Sequence, residues 1–276
     1  MIIQHNIAAI NSYRNLGVNQ SSLNKNLEKL SSGYRINRAG DDAAGLAISE
    51  SMRSQINGLN QATKNAQDAV GLIQTVEGAL TETHSMLQRL TTLASQSANG
   101  TYNSVARGNL QKEVDQLLSE IDRIAEYTDF NGIKPIAKTG GTGVMTFQIG
   151  PSAAEKLVVT NEQMTSDKIN ADLASGTLKI DTISKANSAI QTINDSIDTV
   201  SSFRAVLGAA QNRLEHTINN LKVTSENITA AESRIRDTDM ADEITAFTKN
   251  NILLQASQSM LAQSNSVPQS VLSLLQ

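Results

Sequence analysis

The side chains that could do chemistry in this sequence are two neighbouring carboxylates and three scattered histidines. Asp41 and Asp42 are adjacent, so at the start of a helix they point in different directions and are poorly placed to share a proton. His5, His84 and His216 have neither metal-ligand spacing nor a cysteine partner, because the chain contains no Cys. We therefore expect no enzyme active site, no metal site and no cofactor, and we interpret both aspartates as helix caps.

Composition favours a long, narrow helical protein over a compact enzyme. Among 276 residues only 3% are aromatic, Trp is absent and there are three Pro. A thin seam of Leu, Ile, Val and Ala needs little aromatic volume, and scarce proline leaves long segments free to be helical. The formal net charge of −4 gives no reason to expect nucleic acid as a partner. Apolar runs are too short to predict insertion into a membrane.

Three segments carry the alternating three- and four-residue spacing of apolar side chains that indicates amphipathic helices. They cover about residues 42–97, 105–128 and 183–235. The first and third are of similar length, so the simplest packing is a long antiparallel coiled-coil bundle with the middle helix as a third member. Leu90 and Leu207 are expected to be buried between its helices.

Helical spacing stops between about residues 133 and 180. There the segment 144–149 alternates as a strand does, Gly150 and Pro151 favour a turn, and residues 157–160 can pair back. We predict a small β-hairpin element between the two long arms of the bundle.

The two chain ends carry thinner apolar stripes, diluted by Asn, Gln and Ser. We expect residues 1–41 and 236–276 to form a paired terminal helical domain, separate from the bundle domain of residues 42–235, with Pro268 interrupting the last helix. Such helices are marginal alone in water and need a partner surface. The residues expected to mediate this assembly are Ile3, Ile7, Ile10, Leu27, Leu30, Ile244, Phe247, Leu254 and Leu261.

Several segments resemble one known family. Residues 31–49 read SSGYRINRAGDDAAGLAIS, residues 207–214 read LGAAQNRL, and residues 230–241 read AAESRIRDTDMA. Together these closely resemble bacterial flagellin, the subunit of the flagellar filament. The resemblance covers both ends of the chain and omits residues 135–184.

The resemblance implies a structural protein that self-assembles into the extracellular flagellar filament for swimming motility. It also implies export without a cleaved signal peptide, and a terminal helical domain that forms the inner layer of the filament. The implied partners are further copies of the chain, an export chaperone, and the hook–filament junction and cap proteins. Because the middle of the chain is short, we expect a minimal flagellin without outer domains.

A contact with the vertebrate Toll-like flagellin receptor is also implied. Arg89, Leu93 and Glu113 match positions through which many flagellins engage that receptor, but Thr91 and Thr92 stand where many members have an Arg-Glu pair. A purely structural role is the alternative, with Arg89 on a solvated helix face, Leu93 near the seam and Glu113 in an ion pair within the bundle.

Two other protein classes share part of this pattern. A flagellar hook–filament junction protein has the same plan of end helices, although the extended match at both ends favours flagellin. A chemoreceptor-like signalling coiled coil needs membrane spans and one continuous helical hairpin, and the sequence predicts neither.

Overall fold

A computed structural model describes residues 6–137, 144–174 and 176–274, apart from the side chains of Gln269 and of residues 271–274. The helices are Ile7–Ser32 (α1), Ala43–Ala98 (α2), Ser104–Tyr127 (α3), Ser166–Ile169 (α4), Ile183–Arg236 (α5) and Met240–Leu274 (α6). The strands are Val144–Gln148 (β1) and Lys156–Thr160 (β2). This mainly α architecture with a small β-hairpin confirms the fold class predicted from the sequence.

The chain forms two compact units. One contains Met1–Ile56 with Glu226–Gln276, and the other contains Asn57–Ser225. The long helices α2 and α5 each contribute residues to both units. The domain limits expected from the sequence, at residues 41/42 and 235/236, remain a prediction.

The second unit, Asn57–Ser225, has a continuous hydrophobic core. Its buried side chains come from one stripe on each of α2, α3 and α5, and from the hairpin and the segment between residues 164 and 180. Leu90 and Leu207 are both completely buried in this core, as the heptad spacing predicts. Removal of this apolar surface from water stabilises the unit, since each fully buried Leu or Ile contributes roughly 1.5–3 kcal/mol.

The hairpin packs one of its faces on this core. Strands β1 and β2 are antiparallel, with Val144 opposite Thr160 and Gln148 opposite Lys156. Leu157 and Val159 of β2 are buried in the cluster, so alternate side chains of the strand point inward, as its period of two requires.

Helix α6 continues through Pro268, so the expected interruption there is wrong. Proline lacks the N–H that would donate to the carbonyl four residues earlier. That carbonyl belongs to Ser264, and it accepts a hydrogen bond from Nδ2 of Asn6 at 2.8 Å instead. The side chain at the start of α1 therefore replaces the bond that Pro268 cannot make.

Candidate functional site

The connection from α1 to α2 begins with a left-handed glycine. Gly33 has φ +75°, and its N–H donates to the carbonyl of Lys29 at 2.8 Å. A side chain is disfavoured at this φ, so glycine ends α1 here and turns the chain into the loop of residues 33–42.

The two adjacent aspartates in this loop have different roles. Oδ1 of Asp42 accepts from the backbone N–H of Gly45 at 2.9 Å, which is the expected cap of α2. Oδ2 of Asp41 instead accepts from the N–H groups of Arg38 and Asn37. These two bonds, with that from Arg38 the stronger, hold the pKa of the Asp41 carboxyl below its usual range. The capping prediction is therefore right for Asp42 and wrong for Asp41. The Asp41 side chain instead bonds the backbone of the loop that precedes α2.

The same loop pairs with the chain between α5 and α6. The N–H of Arg35 donates to the carbonyl of Arg236 at 2.7 Å, and the N–H of Thr238 donates to the carbonyl of Gly33 at 3.0 Å. Tyr34 and Asp237 thus form an isolated antiparallel bridge. We call the region of residues 33–35 and 235–238, together with Glu50, the junction.

Side chains reinforce the junction. Nη2 of Arg35 donates to the carbonyl of Ile235 at 2.6 Å, which satisfies a carbonyl at the end of α5. The guanidinium of Arg236 lies 4.7 Å from the centre of the Tyr34 ring, and its Nη1 is 2.7 Å from Oε1 of Glu50. The hydrogen bond from Arg236 holds the pKa of Glu50 below its usual range. Only 12% of the Arg236 side chain is exposed, so most of this cation is shielded from water.

Helices α1 and α6 pack closely and antiparallel. Nδ2 of Asn19 is 2.9 Å from Oγ of Ser257, and Lys29 Nζ is 3.8 Å from a carboxylate oxygen of Glu243. On each helix a series of buried or half-buried residues recurs with a regular three-four spacing, and we call these residues the seam. On α1 they are Ala9, Ser12, Leu16, Asn19, Leu23, Asn26 and Leu30, and on α6 they are Glu243, Phe247, Asn250, Leu254, Ser257, Leu261 and Ser264.

Half of the seam residues are polar, and the seam is only partly buried. Among the described side chains of α1 and α6, Asn26 alone is classed as buried, and its Nδ2 has no hydrogen-bond partner. The prediction from apolar residues missed Asn19, Asn26, Ser257 and Ser264. Asn19 and Asn26 are seven residues apart in the sequence, as are Ser257 and Ser264, but polar residues indicate a helical period less clearly than Leu or Ile.

The predicted assembly residues fall into two groups. Leu30, Phe247, Leu254 and Leu261 lie half-buried in the seam. The others leave most of their apolar surface in solvent, with exposed fractions of 63% for Ile7, 55% for Ile10, 55% for Leu27 and 52% for Ile244. Ile3 lies outside the described residues.

The three predicted receptor residues occupy different environments. Nε and Nη2 of Arg89 on α2 donate to the same oxygen of Glu113 on α3, at 2.9 and 2.7 Å. Both side chains are about half exposed, so water screens the ion pair and it contributes little to stability. Leu93 is completely buried in the core and presents no surface. Thr91 and Thr92 bond back to the carbonyls of Leu87 and Gln88 on their own helix.

The histidines and acidic side chains give no metal site in the part of the chain that the structure describes, where no group of three or more potential ligands comes together. Nε2 of His84 lies 3.0 Å from the side-chain amide of Gln88, one helical turn away. The described helices also include no segment long and apolar enough to cross a bilayer.

Comparison with known proteins places this arrangement in context. The family model for the bacterial flagellin N-terminal helical region matches residues 3–140, and that for the C-terminal helical region matches residues 190–275. The chain is 50% identical to the flagellin of Bacillus subtilis and 52% identical to that of Halalkalibacterium halodurans, with all of each chain covered in both cases. It is also 48% identical, again over the full length of both chains, to flagellin FlaB2 of Treponema pallidum.

Two solved structures share the fold. Bacillus cereus flagellin aligns with a TM-score of 0.51 and 30% identity, over 61% of this chain and 94% of that one. A putative flagellar hook-associated protein of Vibrio parahaemolyticus aligns with a TM-score of 0.58, over 71% of this chain and all of that one. Its identity is only 12%, so this second likeness shows the fold alone.

Proposed function

The chain belongs to the bacterial flagellin family and is a structural subunit of the flagellar filament, and we propose that α1 and α6 supply the contacts through which its subunits assemble. Flagellins polymerise with copies of themselves and function outside the cell. The observation that supports the proposal is the apolar surface that α1 and α6 leave exposed, at Ile7, Ile10 and Ile244 among others. The proposed role is therefore mechanical rather than catalytic.

The proposal accounts for the composition of these helices. Within one chain the half-polar seam buries little apolar area, and these isoleucines leave more than half of their surface in solvent. If neighbouring subunits cover them, each loses that remaining exposure and gains about half of the roughly 1.5–3 kcal/mol that full burial yields. Residues 1–41 with 236–276 would then form an inner layer of the filament, and residues 42–235 an outer one.

The test replaces Ile10 by Ser and measures the critical concentration for polymerisation, with filaments counted by electron microscopy. We expect that concentration to rise at least about tenfold, which corresponds to the loss of about 1.4 kcal/mol per contact. Ile10→Leu is the matched control, because it keeps the apolar volume at the same position, and it should polymerise nearly as the unchanged chain does. Equal critical concentrations for the Ser and Leu variants would exclude Ile10 from the assembly surface.

The other proposed partners follow from the same surface and from family membership. The side chains of Ile244, Ile252 and Met260 are exposed on α6 and would be available to an export chaperone before assembly. Export through the flagellum's own channel, without a cleaved signal peptide, completes this proposal. The first and last subunits of a filament would contact the hook–filament junction and cap proteins through the same helices.

A receptor contact is a second proposal, and it rests on Arg89 and Glu113. Their paired side chains project from α2 and α3 and are both accessible. Leu93 would act only indirectly, by holding α2 against the core. Thr91 and Thr92 offer no planar, bidentate donor, so we propose recognition weaker than that of flagellins with Arg at the first of these positions.

A further inference from the structure

The seam between α1 and α6 has a repeat that leaves its register ambiguous. On α1, Leu16, Leu23 and Leu30 are seven residues apart, and so are Asn19 and Asn26. On α6 the spacing is also seven in the series Phe247, Leu254 and Leu261, and in the series Asn250, Ser257 and Ser264. Sliding α6 by seven residues along α1 therefore brings a large apolar residue opposite a Leu again, and a small polar residue opposite an Asn. With so little of the seam buried, packing alone discriminates weakly between these registers.

The junction lies at the base of this pair and continues its register. Moving from the junction toward the chain ends, the contacts Gly33–Thr238, Lys29–Glu243 and Asn19–Leu253 advance almost residue for residue along the two helices. Only Gly33 separates α1 from Tyr34, and two residues separate Asp237 from α6. When Tyr34 and Asp237 are bridged, these short linkers cannot span a slip of one heptad between the helices, which is roughly 10 Å.

We propose that Arg236, held between the Tyr34 ring and the Glu50 carboxylate, is a positioning residue that fixes the register of the terminal helices. Its backbone carbonyl accepts from Arg35, so its side chain and its main chain anchor the same point. Stacking of the guanidinium on Tyr34 is strengthened because the arginine side chain is shielded from water, and a charged hydrogen bond joins it to Glu50, whose side chain is 55% exposed. The inference extends the proposed role of α1 and α6 in assembly, but it depends only on contacts within one chain.

The absence of Cys allows the register to be read directly with pairs of introduced cysteines. Asn19→Cys with Ser257→Cys reports the described register, because those side chains are in contact. Two further double variants report a slip of one heptad, one in each direction. They combine Asn19→Cys with Ser264→Cys or with Asn250→Cys. Ser264 and Asn250 each lie seven residues, roughly 10 Å, along α6 from Ser257, whose side chain Asn19 contacts in the structure. A slip of one heptad brings one of them to that position, where a disulfide to residue 19 can form. Each double variant is assembled as a minor component with an excess of unmodified chain, oxidised, and analysed by mass spectrometry.

In the unchanged background we expect the Asn19–Ser257 disulfide to dominate. Arg236→Ala should raise the ratio of the slipped disulfides to the Asn19–Ser257 disulfide by roughly tenfold. Arg236→Lys should raise that ratio less, because it keeps the positive charge. Arg234→Ala is the control, because this exposed arginine is on the same helix and outside the junction. If Arg236→Ala does not enter filaments, Tyr34→Leu is the milder variant, because it removes only the stacking surface. The disulfides are then formed by oxidising soluble chains in the presence of an osmolyte that favours burial of apolar surface.

The proposal would be overturned if Arg236→Ala and Tyr34→Leu left unchanged the ratio of the two slipped disulfides, Asn19–Ser264 and Asn19–Asn250, to the Asn19–Ser257 disulfide. Uniform loss of all three disulfides would also contradict it, since that result means Arg236 stabilises the pair without selecting its register. Failure of the assembly proposal is a different result, because it would appear as equal critical concentrations for Ile10→Ser and Ile10→Leu and would leave the disulfide ratio unaltered.

Discussion

At the scale of single residues, Arg89 and Leu93 lie about one turn apart on α2, yet one is exposed and the other is in the core. Leu93 is completely buried, whereas Arg89 extends to Glu113 with both side chains about half exposed. A partner protein can therefore reach Arg89 without disturbing the bundle. Substitution of Leu93 would disturb packing first, so its effect on any receptor could not be interpreted as a contact.

The receptor proposal is accordingly tested at Arg89. Arg89→Ala should lower activation of the Toll-like flagellin receptor by soluble subunits and leave helicity unchanged, because the exposed ion pair contributes at most about 1 kcal/mol to folding. Arg123→Ala is the matched control, since Arg123 is similarly exposed and pairs with Glu120 on α3. Equal activity of the Arg89 variant and the unchanged chain in a cell-based receptor assay would exclude Arg89 from the contact.

At the scale of elements, the three-helix core and the terminal pair differ in how they are stabilised. Helices α2, α3 and α5 bury continuous apolar stripes, with Leu90, Leu118 and Leu207 completely enclosed. Helices α1 and α6 meet through a seam in which Asn and Ser alternate with Leu. The first arrangement can fold within one subunit, whereas the second gains little from burial until other helices cover it.

The cohesion of the core is tested by Leu90→Ala. We expect the free energy of unfolding to fall by about 2–5 kcal/mol, because the substitution leaves a cavity in a closely packed layer. Thermal melting followed by circular dichroism measures this loss. Val206→Ala is the control: its side chain on α5 is 47% exposed, so it should melt nearly as the unchanged chain does. A melting temperature of Leu90→Ala equal to that of the control would contradict the burial of Leu90.

Elements with strong apolar periodicity could be predicted from the sequence, and their long-range polar contacts could not. The observed bounds of α2, α3 and α5 lie within one or two residues of those expected, because Leu and Ile repeat regularly through them. Asp41 was misjudged although its partner is local, because its carboxylate accepts from the N–H of Arg38 three residues earlier and not from the helix that follows. Pro268 was misjudged because its outcome depends on a distant partner, the side chain of Asn6. The junction was missed for the same reason. Arg236 and Tyr34 are about two hundred positions apart in the sequence, and no local rule pairs them.

At the scale of the whole molecule, we propose that folding of the chain ends is coupled to assembly. Ordering each residue costs on the order of 1–2 kcal/mol of backbone entropy, and burial yields only about 25 cal/mol per Å² of apolar surface. A thin, half-polar seam cannot offset that cost in a lone subunit. In the filament, neighbouring subunits would cover the outer faces that carry Ile7, Ile10 and Ile244, and the balance becomes favourable.

Hydrogen exchange with limited proteolysis, on a verified monomer and on filaments of the same chain, tests this account most directly. In the monomer, residues 1–35 and 238–276 should exchange rapidly and be removed by protease, while residues 42–235 survive. In the filament both ends should be protected, and the trimmed chain should no longer polymerise. Slow exchange and protease resistance of both ends in the monomer would contradict the coupling of folding to assembly.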